Sequence, residues 1–362
     1  MPNRVAPARA AHNGPVPGGP RRVDTVSAMP VNRRFVLAAK PSGLPKTSDF
    51  RIVEAPLPEL KDGEVLFRTE YLSVDPYMRS RIAGVKTYAD PVLVGEPMVG
   101  SAVGRVVASR NSRFAEGDWA AGFWGWQEYA VSDGRSVNRV DPLLAPPSAS
   151  LGILGAPGMT AYFGLLELCN PKPGETVLIS GAAGAVGSAA RQIASIQGCH
   201  VVGIAGTDDK IRYITGELGF DGGFNYKTSP DFGRSLRDLC PQGIDCYFDN
   251  VGGAISDAAF LQMNTFGRVA VCGQISQYNL DSPPPGPRLL GQILIRQLRV
   301  EGFIITRFAN RFSEGVRQMA QWLREGKLRY CEEIVEGFEN TPQAFIDMLQ
   351  GANTGKMLVK CV

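Results

Sequence analysis

The sequence predicts an α/β protein of two domains, a compact β-barrel and a doubly wound parallel sheet, with a short C-terminal return to the barrel. Three observations carry that prediction. From Arg33 to about Asp141, short runs alternate apolar and polar residues and end at Gly, Pro, Asn or Asp, as half-buried strands do. From Thr176 onward, β-branched runs alternate with helical stretches, which is the pattern of crossover units and a parallel sheet. The first such run enters a glycine-rich turn at Gly181 and leaves it as a helix. A chain of 362 residues also exceeds what one core usually holds.

Residues 1–30 stand apart. Rich in Pro, Gly, Ala and Arg, with Asp24 as their one acid, they are expected to be a disordered extension. Their arginines and scarce acids suggest an organelle transit peptide, whereas their prolines and glycines oppose the helix such a peptide forms. An unstructured tail is the expectation, with Met29 as an alternative start. Residues 31–155 and 331–362 are assigned to the barrel, through strands such as "GEVLFRTEYLSV", "SAVGRVVAS" and "WQEYAVS". Residues 156–330 form the sheet domain, with strands "TVLIS", "HVVGIAG", "DGGFNY", "DCYFDN", "GRVAVCG" and "RVEGFII" and the helix "RFSEGVRQMAQWLREGK". The last strand is a candidate sheet edge, and joining two such edges predicts a homodimer.

Composition excludes several functions. The net charge is +3, the cations are scattered, and no basic stripe for nucleic acid stands out. No apolar run approaches the roughly 18 residues of a membrane span, so a soluble cytoplasmic protein is expected. The seven cysteines sit in contexts such as "RDLC" and "VAVCG" without metal spacing and read as reduced thiols.

Gly181, Gly184 and Gly187 keep a three-residue rhythm around Ala183, Ala185 and Val186. They predict a pyrophosphate cradle over a helix N-terminus, where free N–H groups face an anion. The other reading of the motif is an ordinary tight turn. About twenty residues on, where NAD enzymes place an acid for the ribose 2′-OH, the chain has Ala205, Gly206 and Thr207, followed by the cation Lys210. That favours NADP(H). Asp208 and Asp209 read as first-turn helix caps.

With these domains in this order, the strings "YLSVDPYMR", "GMTAYFGL", "GAAGAVGS", "FNYKT", "YFDNVGG", "CGQISQYN", "EGFENTPQAF" and "NTGK" resemble the medium-chain dehydrogenase/reductase superfamily. Within it they resemble the zinc-independent prostaglandin reductase (leukotriene B4 dehydrogenase) group. The resemblance implies a GroES-like catalytic barrel, a Rossmann domain, and NADPH-dependent reduction of the carbon–carbon double bond of an enone or enal. It places Tyr226 at the adenosine, Asn250, Cys272, Gly273, Ile275, Ser276 and Tyr278 beside the nicotinamide, and Phe303, Ile304, Ile305 and Asn353 around the cleft. Met159 and Thr160 are implied at the substrate cleft. Leu72, Ser101 and Ala102 stand where zinc relatives carry Cys and His-Glu, and the only histidines are His12 and His200, so no metal is expected.

Without metal, negative charge developing on the carbonyl oxygen needs neutral hydrogen-bond donors. Tyr278 is the first candidate, with the cofactor's ribose hydroxyl as a second donor; Tyr77 of "DPYMR" is the alternative tyrosine. The proton for the α-carbon comes from water or the phenol. Asp75 and Arg79 are expected to form a structural ion pair. Two other functions stay open: an NADPH quinone oxidoreductase, and a non-catalytic dinucleotide-binding partner protein.

Overall fold

A computed structural model describes residues 31–282 and 284–362; the expectation for residues 1–30 lies outside them. The chain begins with a two-stranded antiparallel ribbon, β1 (Val31–Leu37) and β2 (Phe50–Pro56). It continues through β3 (Val65–Ser73), helix α1 (Tyr77–Arg81), β4 (Ala102–Ser109), β5 (Trp119–Gly122), β6 (Tyr129–Ser132) and β7 (Asn138–Val140). Val65, Phe67 and Thr69 alternate inward along β3, which is the period of a half-buried strand. The barrel core is aromatic: Trp126 packs on Phe35, Phe50 and Phe345.

Helix α2 (Ala156–Phe163) carries the chain into the second sheet. There β8 (Thr176–Ser180), α3 (Ala185–Ile196), β9 (His200–Ala205), α4 (Asp208–Arg212), β10 (Gly222–Asn225), α5 (Phe232–Leu239), β11 (Ile244–Asp249), α6 (Gly253–Phe260), β12 (Met263–Val271), α7 (Leu290–Ile295) and β13 (Arg299–Gly302) follow. The strands run parallel in the order β10-β9-β8-β11-β12-β13, so strand order reverses between β8 and β11. All five residues of β8 are buried, as befits a strand covered on both faces. The expected sixth strand "RVEGFII" ends early. At the end of the strand Phe303 N–H makes a last, long bond to Val271 O at 3.4 Å, and its ring packs on Phe248 and Phe308 as the chain leaves the sheet.

Helix α8 (Phe312–Arg324) precedes the return, which is β14 (Glu332–Glu336), α9 (Thr341–Leu349) and β15 (Lys356–Lys360). The barrel sheet runs β14-β15-β3-β4-β5-β7, with β6 also on β3, so β15 is an interior strand. The two sheets meet where Gly355 N–H donates to Ala183 O at 2.8 Å, just before β15. Among the described residues, no helix is long and apolar enough to cross a membrane.

Candidate active site

A cavity of about 700 Å³ follows the C-terminal ends of β8, β9, β11 and β12 and is closed on its other side by β3, α1 and the β15 segment. It lies at the reversal of strand order, the usual binding crevice of open α/β sheets. Its floor is the turn after β8. Gly181 has φ +62°, a left-handed conformation in which a side chain is strained, and a Cβ on Gly187 would stand 2.4 Å from Gly181 O. Glycine at both positions lets α3 pack onto the turn with its N-terminus open to the cavity. Gly181, Ala183, Gly184, Ala185, Val186 and Gly187 all line it.

One buried carboxylate organises the adjoining strand ends. Asp249, 1 % exposed, accepts from Ser180 Oγ at 3.0 Å, Tyr247 OH at 2.8 Å, Ser256 Oγ at 2.6 Å, and the N–H groups of Val251 and Gly252 at 3.0 and 2.9 Å. A buried charge is tolerable only when its lone pairs are satisfied this fully. Asn250, next in the chain, donates through Nδ2 to Ser180 O at 2.7 Å, which sets its position on the cavity wall. Cys272 and Gly273 follow from β12, and their N–H groups donate to Asp249 O. Burial, helped by the Asp249 charge, pushes the Cys272 thiol up to about 12, so it stays protonated.

After that strand a single turn over Ile275–Gln277 brings Ile275, Ser276 and Tyr278 to the cavity. The phenol oxygen of Tyr278 accepts from Gln274 N–H at 3.2 Å, leaving its own proton free to donate. Burial raises its pKa above the usual tyrosine value, so the donor form persists. Across the cleft, Tyr77 opens α1, and its buried hydroxyl has no hydrogen-bond partner among the described residues. Burial, with the nearby Asp75 charge, raises its pKa well above the usual value.

At the far end Lys210 and Tyr226 line the cavity together with Lys227, which sequence reasoning missed although it directly follows Tyr226. Tyr226 lies against Gly206, where a Cβ would meet its ring at 3.0 Å. Lys210 Nζ donates to Gly351 O at 2.7 Å. Burial, and after it the charge of Lys227, lowers the Lys210 pKa. Phe303, Ile304, Ile305 and Asn353 also line the cavity.

Some expected residues fall elsewhere. Thr207 does not line the cavity; its hydroxyl caps α4 by accepting Lys210 N–H at 3.2 Å. Thr160 lines the cleft, but Met159, one residue away on α2, turns into the core against Gly315 and Phe163. Asp75 and Arg79 do not pair. Asp75 precedes α1 and meets Lys356 Nζ at 3.1 Å, whereas Arg79, a turn later, donates to Asn279 Oδ1 at 3.0 Å and Gly43 O at 2.8 Å. Exposed Tyr88 at the rim was missed as well, since it sits in a loop with no regular pattern.

Family models match residues 33–140 as the N-terminal domain of oxidoreductase and residues 185–323 as zinc-binding dehydrogenase. The NADPH-dependent curcumin reductase of Escherichia coli (strain K12) is 44% identical over 91% of this chain and 96% of its own. Prostaglandin reductase 1 of Rattus norvegicus is 48% identical over 88% of this chain and 95% of its own. The chain belongs to the zinc-independent prostaglandin reductase group of the medium-chain dehydrogenase/reductase superfamily. A solved member, CurA from Vibrio vulnificus in complex with NADPH, superposes with a TM-score of 0.87 at 43% identity, covering 91% of this chain and 99% of that one.

The medium-chain group takes its second-domain name from zinc enzymes, but the residues here do not fit that metal. Among the described residues, no three His, Cys, Asp or Glu side chains gather as a donor set. Leu72 and Ala102 are apolar core residues, and Ser101 lines the cleft. His200 starts β9 at the opposite end of the sheet, with Nδ1 3.8 Å from Asp221.

Proposed function

We propose that the chain reduces the carbon–carbon double bond of α,β-unsaturated ketones and aldehydes, with Tyr278 as the principal donor to the carbonyl oxygen and Tyr77 as the second. NADP(H) is the cofactor and, when bound, supplies the hydride. The glycine turn and the N-terminus of α3 hold its pyrophosphate, and Lys210, Tyr226 and Lys227 hold the 2′-phosphate end. Asn250, Cys272, Gly273, Ile275 and Ser276 form the wall against which its reactive ring is oriented.

The observation that carries this reading is the pairing of a phosphate cradle with free phenol donors on the adjoining wall. A neutral donor helps an oxygen most when that oxygen gains charge in the transition state. An enone needs only that, because its β-carbon already accepts hydride. A panel of enones, enals and quinones assayed with NADPH and NADH tests the reading; consumption of NADPH with quinones alone would move the chain to the quinone branch.

The protein acts as a homodimer in the cytoplasm. The edge strand β13 and its neighbour α7 present Val300, Leu290, Leu294 and Ile295 to solvent, the last three at 80, 77 and 73 % exposure, an apolar strip suited to a second copy. All seven cysteines are free, as in a reducing compartment. Sedimentation at micromolar concentration giving a monomer mass would refute the dimer.

A further inference from the structure

Two side chains behind the cleft wall join its two halves. Neither Arg79 nor Asn279 lines the cavity, yet Arg79 follows Tyr77 by two residues on α1 and Asn279 directly follows Tyr278. Arg79 Nε donates to Asn279 Oδ1 at 3.0 Å, and Nη2 donates to Gly43 O, between β1 and β2, at 2.8 Å. A guanidinium has donors only, so the Asn279 atom that faces it is the carbonyl oxygen. The arginine is 5 % exposed and is firmly rooted, since Met78 before it and Ile82 after it are fully buried in the barrel core.

The turn that carries Asn279 is fixed unevenly. Ser276 donates to Val251 O through its N–H at 3.1 Å and its hydroxyl at 2.7 Å, which ties the start of the turn to the sheet. Toward its end the backbone bonds are internal, Tyr278 N–H to Ile275 O at 3.4 Å and Leu280 N–H to Gln277 O at 3.1 Å. The bond that the Tyr278 hydroxyl accepts from Gln274 N–H lies within the same turn and moves with it. Beyond it, the described residues from Asp281 to Arg288 are exposed and irregular. Arg79 is what ties this end of the turn to the barrel.

On the enone-reductase reading with Tyr278 as donor, we infer that Arg79 is a positioning residue, which through Asn279 holds the Tyr278 phenol opposite Tyr77 so that both reach one carbonyl oxygen. An arginine suits the task because its planar fork holds acceptors from two separate segments at a fixed angle, which the point charge of a lysine does not. A bond outside the cavity matters at this level because a displacement of about 1 Å at the reacting groups can cost about 10²-fold in rate.

The test is a double-mutant cycle on the single-turnover hydride-transfer rate, with saturating NADPH and benzylideneacetone as the enone. Arg79→Ala and Asn279→Ala break the bond from opposite sides. Each should slow hydride transfer by about tenfold or more, leaving NADPH affinity unchanged. Asn279→Asp keeps an acceptor oxygen and adds a charge partner, so its rate should stay within about threefold of the unaltered protein. In a Tyr278→Phe background, Asn279→Ala should cost less than about a further threefold, because a residue acting through the phenol then has nothing to position. A full multiplicative loss in that background would overturn the inference. So would an Asn279→Ala variant as fast as the unaltered protein, whether or not Arg79→Ala folds. Both results leave Tyr278 in place as the donor, provided that Tyr278→Phe itself is slow. A Tyr278→Phe variant with the unaltered rate would sink the donor reading, and the inference with it.

Discussion

Replacing Tyr278 by Phe tests the proposed mechanism most directly. The ring and its packing remain, and two interactions of the hydroxyl are lost. One is structural: the bond from Gln274 N–H, at 3.2 Å, is long, and its loss should cost about 0.5 to 1.5 kcal/mol of stability. The other is the donor to the developing oxyanion, whose loss in other enzymes lowers turnover by about 10²- to 10³-fold. Because the unpartnered Tyr77 hydroxyl lines the same cavity, the lower end of that range is expected. Single-turnover absorbance decay of NADPH, repeated with the 4-deuterated cofactor, should place the loss in the hydride step with the isotope effect retained or enlarged. NADPH affinity should be unchanged. Since burial raises the Tyr278 pKa, the wild-type single-turnover rate should not fall between about pH 6 and 9 through this group. Unimpaired hydride transfer in Tyr278→Phe, alongside a crippled Tyr77→Phe, would reassign the donor. Full activity in both would end the tyrosine mechanism.

Lys210→Ala should weaken NADPH binding by about 1.5 to 3 kcal/mol, the range for hydrogen bonds to charged groups, and leave NADH binding nearly unchanged; titration calorimetry with both cofactors decides it. Equal losses would show that the lysine does not read the phosphate. Dialysis against a strong chelator should leave enone reduction intact, with no stoichiometric zinc by elemental analysis; activity restored only by zinc would contradict the misfit of the donor set. Asp249→Ala removes the acceptor of five hydrogen bonds and strands buried donors on three side chains, so urea denaturation should show a loss of at least about 3 kcal/mol. A loss under 1 kcal/mol, roughly that of one ordinary hydrogen bond, would mean that the network is incidental.

The parts of this site visible in the sequence are those that local chemistry encodes. The turn at Gly181 to Gly187 announces itself because a tight turn and a close helix approach need glycine at fixed offsets. β8 and β9 are legible because buried parallel strands need near-continuous apolar runs. The Asp75–Lys356 pair joins residues far apart in the chain, and only the closing of the barrel reveals it. Met159 and Thr160 could not be separated by reading, because adjacent positions on α2 face different neighbours, Met159 the Gly315 of α8 and Thr160 the cleft. Thr207 illustrates a residue with two competing uses, where capping a helix absorbed the hydroxyl that a ligand could have taken.

The interior place of β15 bears on how the protein is made. In the barrel sheet, the gap between β14 and β3 is filled only by Lys356–Lys360, and Gly355 docks beside the glycine turn just before it. During synthesis the parallel sheet, complete by Gly302, has all its strands long before the barrel does. Until Lys360 has left the ribosome, the nascent chain carries two unpaired strand edges and a cleft with one wall missing. Folding of the nucleotide-binding half can therefore run ahead, while competence for turnover is acquired in a single late event.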